Sequence, residues 1–396
     1  MTTSSLMPPA PSDSAMSGSS RKPSDHRGSW IPSWAMVTSR FMELRKRRGL
    51  MIALVLVNIG IPVVFLAIRL IAHAVAPHSY GPAGGYDIFS AMVAVVLFIF
   101  GFIVAATVGC TAGSVDLTDG MFRHLVVTGR SRVALYFARI PAGLAIIVPM
   151  VAAGFAIVCL VCVFAAPAQL NYDGVNVPQG LSRVAFESWS ADHADQVICN
   201  FNFDGGPNTP NVVMEVFNYV PCGNGPGPGS AKQAPGSQVQ PQPSRAQIES
   251  VARLVALQNF ASYSGRFISP SISLMIRSGL WIELYAAVGF LIGLGLSSLM
   301  GQRTVPVVLL IVLEIVLTPL LRRPIIPHMI NLQRGLIGIA AGHLEPAGLP
   351  SAFGGNQGGA GSGLLPESIT AAICVIVGWV VVWTAIGTWR MATRDA

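Results

Sequence analysis

The chain has little charge. Asp, Glu, Lys and Arg make up 11% of its 396 residues, where a soluble domain carries roughly a quarter. With 52% hydrophobic residues and a mean hydropathy of +0.59, a water-soluble fold is excluded. No Gly-Lys pair occurs, so there is no G-x-x-x-x-G-K-[ST] phosphate loop and no nucleotide hydrolysis by that route. Any ATP must be handled by a partner. HExxH and GxSxG are also missing, which removes the commonest signatures of metalloproteases and serine hydrolases. No catalytic residue, cofactor site or metal site is assigned to this chain.

Cysteine is sparse and divided. Cys110, Cys159, Cys162 and Cys374 lie in or at the ends of apolar runs, whereas Cys199 and Cys222 lie in a polar segment and are the pair that reads as a disulfide. The alternative is two free thiols. The Cys159–Cys162 spacing is that of a redox motif, but Leu160 and Val161 sit between them in an apolar helix with no base to form a thiolate, which favours packing. His193, Asp195 and Cys199 make a weak metal-like group that a disulfide-held loop explains equally well.

What is present is six long apolar runs: 50–74, 88–109, 141–165, 280–300, 305–321 and 369–388. Each is near the length needed to cross a hydrocarbon core. The expectation is an all-α polytopic membrane protein. Residues 1–33 are polar and Ser/Pro/Gly-rich, an expected disordered arm. Over 34–49, Trp34, Val37, Phe41 and Leu44 recur at helical spacing opposite Arg40, Glu43, Lys46 and Arg47, predicting an amphipathic helix in the membrane interface. Residues 50–166 then hold three spans, 167–279 form a large extracytoplasmic loop, and 280–391 hold three more. Within the loop, 221–244 is linker-like and 248–263 is helical. The four residues 301–304 make the fourth and fifth spans an antiparallel hairpin.

The net charge of +7 reads as topology rather than nucleic-acid binding, because much of it flanks the first span. Basic residues are densest on the side of the N-terminus, which predicts cytoplasmic termini in a cytoplasmic (inner) membrane. That orientation puts Cys199 and Cys222 in an oxidising compartment. Arg322 and Arg323 run against the rule. No cleavable leader is expected, since the first apolar run is long enough to span.

Two carboxylates lie inside apolar runs, and an intramembrane charge is costly enough to be a functional candidate. Glu283 is near an outer end and is expected to reach water. Glu314 is mid-span; it lines a substrate path, carries a proton, or pairs with another helix. In the loop between the second and third spans, Thr118 is a possible cap with Asp119 in a first helical turn. Met121, Phe122, Leu125 and Val126 form an apolar patch there, and Gly129 offers a left-handed stop. Such a patch either fits a partner's groove or packs back on the membrane helices.

The order of these parts resembles the permease subunit of type-two ATP-binding-cassette (ABC) transporters. The resemblance is carried by Ser-Arg-Phe-Met-Glu-Leu-Arg-Lys-Arg-Arg (39–48) before the first span, by Asp-Leu-Thr-Asp-Gly-Met-Phe-Arg-His-Leu-Val-Val-Thr-Gly-Arg-Ser-Arg (116–132), and by Gly-Gln-Arg (301–303) in the late hairpin. It implies a homodimer or a heterodimer with a paralogue, two separate nucleotide-binding ATPase subunits, and export. It also implies an ATPase-coupling surface, here Asp119, Met121, Phe122, Arg123, Leu125 and Val126. The long 167–279 loop departs from the pattern. Two other classes fit the same composition: a polytopic enzyme acting on lipid-linked substrates, and an ion-coupled secondary transporter using Glu314.

Overall fold

The computed structural model describes residues 31–76, 82–118, 131–203, 211–220, 222, 243–321, 330–349 and 367–393. Most of the 1–33 arm, the 119–130 loop and nearly all of the 221–244 tract lie outside these residues.

The fold is all-α and polytopic. Helix α1 (Trp34–Lys46) is followed by six helices long and apolar enough to cross a membrane: α2 (Arg48–Val75), α3 (Tyr86–Val115, continuing as helix to Thr118), α4 (Arg132–Phe164), α9 (Ile272–Met300), α10 (Thr304–Leu321) and α13 (Ile369–Thr393). Between α4 and α9 stand a hairpin, β1 (Leu170–Tyr172) with β2 (Val175–Val177), and the helices α5 (Arg183–Asp192), α6 (Ala194–Asn200), α7 (Asn211–Tyr219) and α8 (Arg245–Ser264). Two short helices, α11 (Ile330–Arg334) and α12 (Ile337–His343), precede α13.

Helix α9 is the hub of the bundle, packed against α3, α4 and α13. Lipid-facing helices gain little from apolar burial alone, so close backbone approach must hold them, and small residues permit it. A Cβ on Gly109 would fall 2.1 Å from the Phe290 carbonyl oxygen, and one on Gly293 2.3 Å from that of Ala106. Gly295 makes the equivalent approach to Trp383 on α13, and Gly154 to Asn58 on α2. Helix α9 closes on Gly301, whose positive φ of 72° ends the helix and starts the tight turn into α10. Helix α4 starts at Arg132 and α9 at Ile272, both earlier than the apolar runs alone indicate, because a helix does not stop where its polarity changes.

The 167–270 insert has its own core, separate from that of the bundle, built from Tyr172, Phe186, Val197, Phe201, Val255 and Tyr263. The β1–β2 hairpin is antiparallel with Leu170 opposite Val177. Helix α8 carries a complete capping box between Ser244 and Gln247, so it begins at a defined residue. Its Asn259 accepts from the Tyr172 hydroxyl at 2.9 Å and donates to Asn202 O at 2.8 Å. Burial raises the pKa of both Tyr172 and Tyr263 above the ordinary tyrosine value. Cys199 and Cys222 are joined by a disulfide. The insert is rooted at Tyr86, whose amide donates to Ile268 O at 3.1 Å, and beside it the Gly85 amide ties the start of α3 to α4 by donating to Cys162 O at 2.8 Å.

Candidate functional site

Two regions gather the polar chemistry of the chain. The first is the root of the loop between α3 and α4. Helix α1 lies against α4, burying Met36 and Leu44 against it. Val37, Phe41 and Leu44 of the expected apolar face are packed, but Trp34 is 78% exposed, and Arg40, paired to Glu43 at 2.7 Å, is turned inward with an 11% exposed side chain. Arg139 on α4 is 2% exposed and donates to Gly113 O on α3 at 3.2 Å. Arg40, Glu43, Leu44, Ala112, Val115 and Arg139 line one small cleft, which holds the Glu43 carboxylate together with two guanidinium groups. Arg132 donates to Ala392 O at the end of α13, at 3.2 Å.

Thr118, the expected cap of a coupling helix, is the last helical residue of α3. The whole expected coupling surface, Asp119, Met121, Phe122, Arg123, Leu125 and Val126, lies outside the described residues.

The second region is inside the bundle. A π-helical turn over Val312–Leu317 widens α10 and carries Glu314 on it; such turns recur at functional sites. Glu314 is 2% exposed, and neither carboxylate oxygen has a hydrogen-bond partner among the described residues. The hydroxyls of Tyr285 and Thr318 adjoin it, but Thr318 donates instead to Leu313 O at 3.0 Å, and the Tyr285 hydroxyl meets no geometric hydrogen-bond partner among the described residues. A Cβ on Gly338 of α12 would lie 2.9 Å from Glu314 Oε2. Helices α11 and α12 therefore fold back into the bundle, and Ile337–Gly342 are all buried. Non-helical backbone at such depth must find partners within the protein. Trp281 on α9 supplies one to Ala341 O and Trp379 on α13 another to Gly335 O, both at 2.9 Å.

Glu283 departs from its expected place at a wet helix end. Both carboxylate oxygens are buried without a hydrogen-bond partner among the described residues, facing the backbone of Ala152 on α4. It lies on a different side of α9 from Tyr285, and the structure does not bring the two acids into one site.

Of the metal-like group, Cys199 is taken by the disulfide, and the His193 ring stacks on Trp189 with its Nδ1 2.9 Å from Trp189 O. Among the described residues no group of three His, Cys, Asp or Glu side chains stands together to hold a metal. The folded-back pair α11–α12 and its tryptophan partners were missed in the sequence. Little in the sequence signals them beyond an indole in each of two apolar runs, Trp281 at the start of one and Trp379 in the middle of another.

Compared with protein-family models, with curated proteins and with solved structures, the chain finds no match in any of the three.

Proposed function

We propose that this chain is the membrane-spanning permease subunit of an ABC transporter, paired with a second permease copy or paralogue and driven by separate ATPase subunits on the side of its termini. The observation that carries the reading is the overrun of α3 and α4. The two helices have spans of 30 and 33 residues, about 45 and 50 Å at 1.5 Å per residue, against a hydrocarbon core of about 30 Å. At the end where they meet, the charged Arg132 and Arg139 lie within α4, so the excess length stands on the side of the 119–130 loop. The ends of α3 and α4 on that side therefore extend past an apolar core, toward where a soluble partner would stand. The Arg139–Gly113 bond ties α4 to α3 at its root, and the packing of α1 on α4 and the Arg132–Ala392 bond join that root to two other helices, α1 and α13, so a push on the loop would be felt across the bundle.

The missing phosphate loop is consistent with an energy source in another chain. Coupling requires that the ATPase subunit bind one arrangement of the permease more tightly than the other, and the apolar patch Met121–Val126 is the surface on which that difference would be expressed. Export is the direction implied by the resemblance, across the cytoplasmic membrane.

The test is co-purification of the tagged chain from mild detergent, wild type beside Phe122→Asp. An ATPase subunit that accompanies wild type and is lost from the variant supports the permease and its coupling surface. A single-chain preparation that transports without any ATPase removes this reading in favour of an ion-coupled transporter.

A further inference from the structure

A cavity of about 470 Å³ opens among α2, α3 and α10, at the end of the bundle where α2 and α10 begin. Both of those helices pack on α3, which forms the back wall. The charge of the cavity has one sign. Arg47 and Arg303 line it, and among the described residues no carboxylate does. Two guanidinium groups on one space select an anion, and their planar donor sets match the oxygens of a phosphate.

Depth and lining say which phosphate. Arg47 and Arg303 each stand immediately before a spanning helix, Arg48–Val75 and Thr304–Leu321, so both lie at the edge of the apolar core. Thr107, on the α3 wall, is about 32 Å along that helix from Tyr86 at 1.5 Å per residue, which is one hydrocarbon core of about 30 Å. The cavity is therefore level with the boundary at which lipid phosphates stand. Past the two charges its wall turns apolar with Leu50, Val307 and Val308, and Ile52 and Leu309 are exposed beside them. A free phosphate leaves that surface uncovered, whereas acyl chains lie on it. A zwitterionic headgroup brings a cation to two guanidinium groups, so a headgroup of net negative charge fits better.

We propose that this cavity binds the phosphate of an anionic phospholipid between Arg47 and Arg303, with the acyl chains along Leu50, Val307 and Val308. The lipid bridges α2 and α10 across the face of α3. The site depends on nothing the chain transports, so it stands or falls apart from the permease reading.

The experiment uses the full chain in mild detergent and native mass spectrometry. It is titrated with phosphatidylglycerol, with phosphatidylcholine of the same acyl chains, and with inorganic phosphate. Each wild-type chain should take up one phosphatidylglycerol at least about tenfold more tightly than phosphatidylcholine, with the preference shrinking as salt rises. Inorganic phosphate should not displace it. Replacing both arginines, Arg47→Gln with Arg303→Gln, should bring phosphatidylglycerol down to the phosphatidylcholine level. Equal binding of the two lipids by wild type, or a preference that survives the double replacement, overturns the proposal. Displacement by inorganic phosphate makes the site one for the free anion and overturns it too. A second variant keeps both arginines. Gly49 lines the cavity, and a Cβ there meets nothing within 4 Å, so Gly49→Glu adds a carboxylate to the wall without a clash. It should also cost phosphatidylglycerol its preference, and binding as tight as that of wild type would count against the site.

Discussion

The indole Nε1–H of Trp281 donates to the carbonyl oxygen of Ala341 at 2.9 Å, across 60 residues of sequence. It gives α12 a fixed depth in the bundle, and with it the seat of Gly338 against Glu314. Replacing Trp281 by Phe keeps a ring to stack on Phe98 but removes one of two donors to the Ala341 oxygen, which also accepts from the Leu344 N–H at 3.1 Å, so the loss is that of one net hydrogen bond, about 0.5–1.5 kcal/mol. The expected result is a lower thermal midpoint in detergent. An unchanged midpoint would mean that the bond does not hold α12.

The α3–α9 contact makes a paired prediction. Gly109→Ala puts a methyl group 2.1 Å from the Phe290 carbonyl oxygen, and backbone cannot step aside cheaply, so a loss of about 1–3 kcal/mol is expected. Gly378 on α13 has nothing within 4 Å of its added Cβ. Gly378→Ala should be neutral or stabilise by up to about 1 kcal/mol. Thermal midpoints of the two variants should therefore move in different directions or differ clearly in size.

The disulfide closes a loop between residues 23 apart, which chain entropy values at about 3 kcal/mol. Reduction, or Cys199→Ser, should loosen α6 and α7 while leaving the spanning helices as they are. Hydrogen exchange of peptides from 194–200 and 211–219, compared with peptides from α9, reads this. Equal protection before and after reduction would show that the insert's own core suffices.

Tyr172 gives a prediction in pH. Its folded pKa is raised, with burial as the leading cause, so the stability it contributes is complete below the unfolded value near 10. That contribution is lost as pH rises through the higher folded value. Subtracting the tyrosinate absorbance titration of a Tyr172→Phe chain from that of wild type isolates this hydroxyl. The difference should appear above about pH 10; a midpoint at or below that value would contradict the burial.

Legibility in the sequence followed the kind of physics involved. The six spans, the α9–α10 hairpin and the helix around 248–263 could be read because run length, connection length and helical periodicity are local. The face of α1 could be read only in part. Its periodicity puts Trp34 with Val37, Phe41 and Leu44, yet only the last three are packed, and Arg40 with Glu43 turns into a cleft that Arg139 of α4 lines. The folding back of α11 and α12 was hidden for a similar reason, since a short segment rich in Gly and Pro looks like any loop until donors elsewhere in the chain satisfy its backbone.

By itself the sequence determined that this is an all-α polytopic chain, where its spanning helices fall, and that Glu314 sits at mid-span, because hydropathy acts through residue type alone. The tertiary structure decided that Glu314 is sealed beside Tyr285 under Gly338, and that Glu283 faces another helix. It also decided that the insert has a core of its own. These depend on which helix faces come within a few ångströms of one another, and that is set by the close approach of Gly109 and Gly293 to backbone far away in the chain and of Gly338 to the Glu314 and Thr318 side chains.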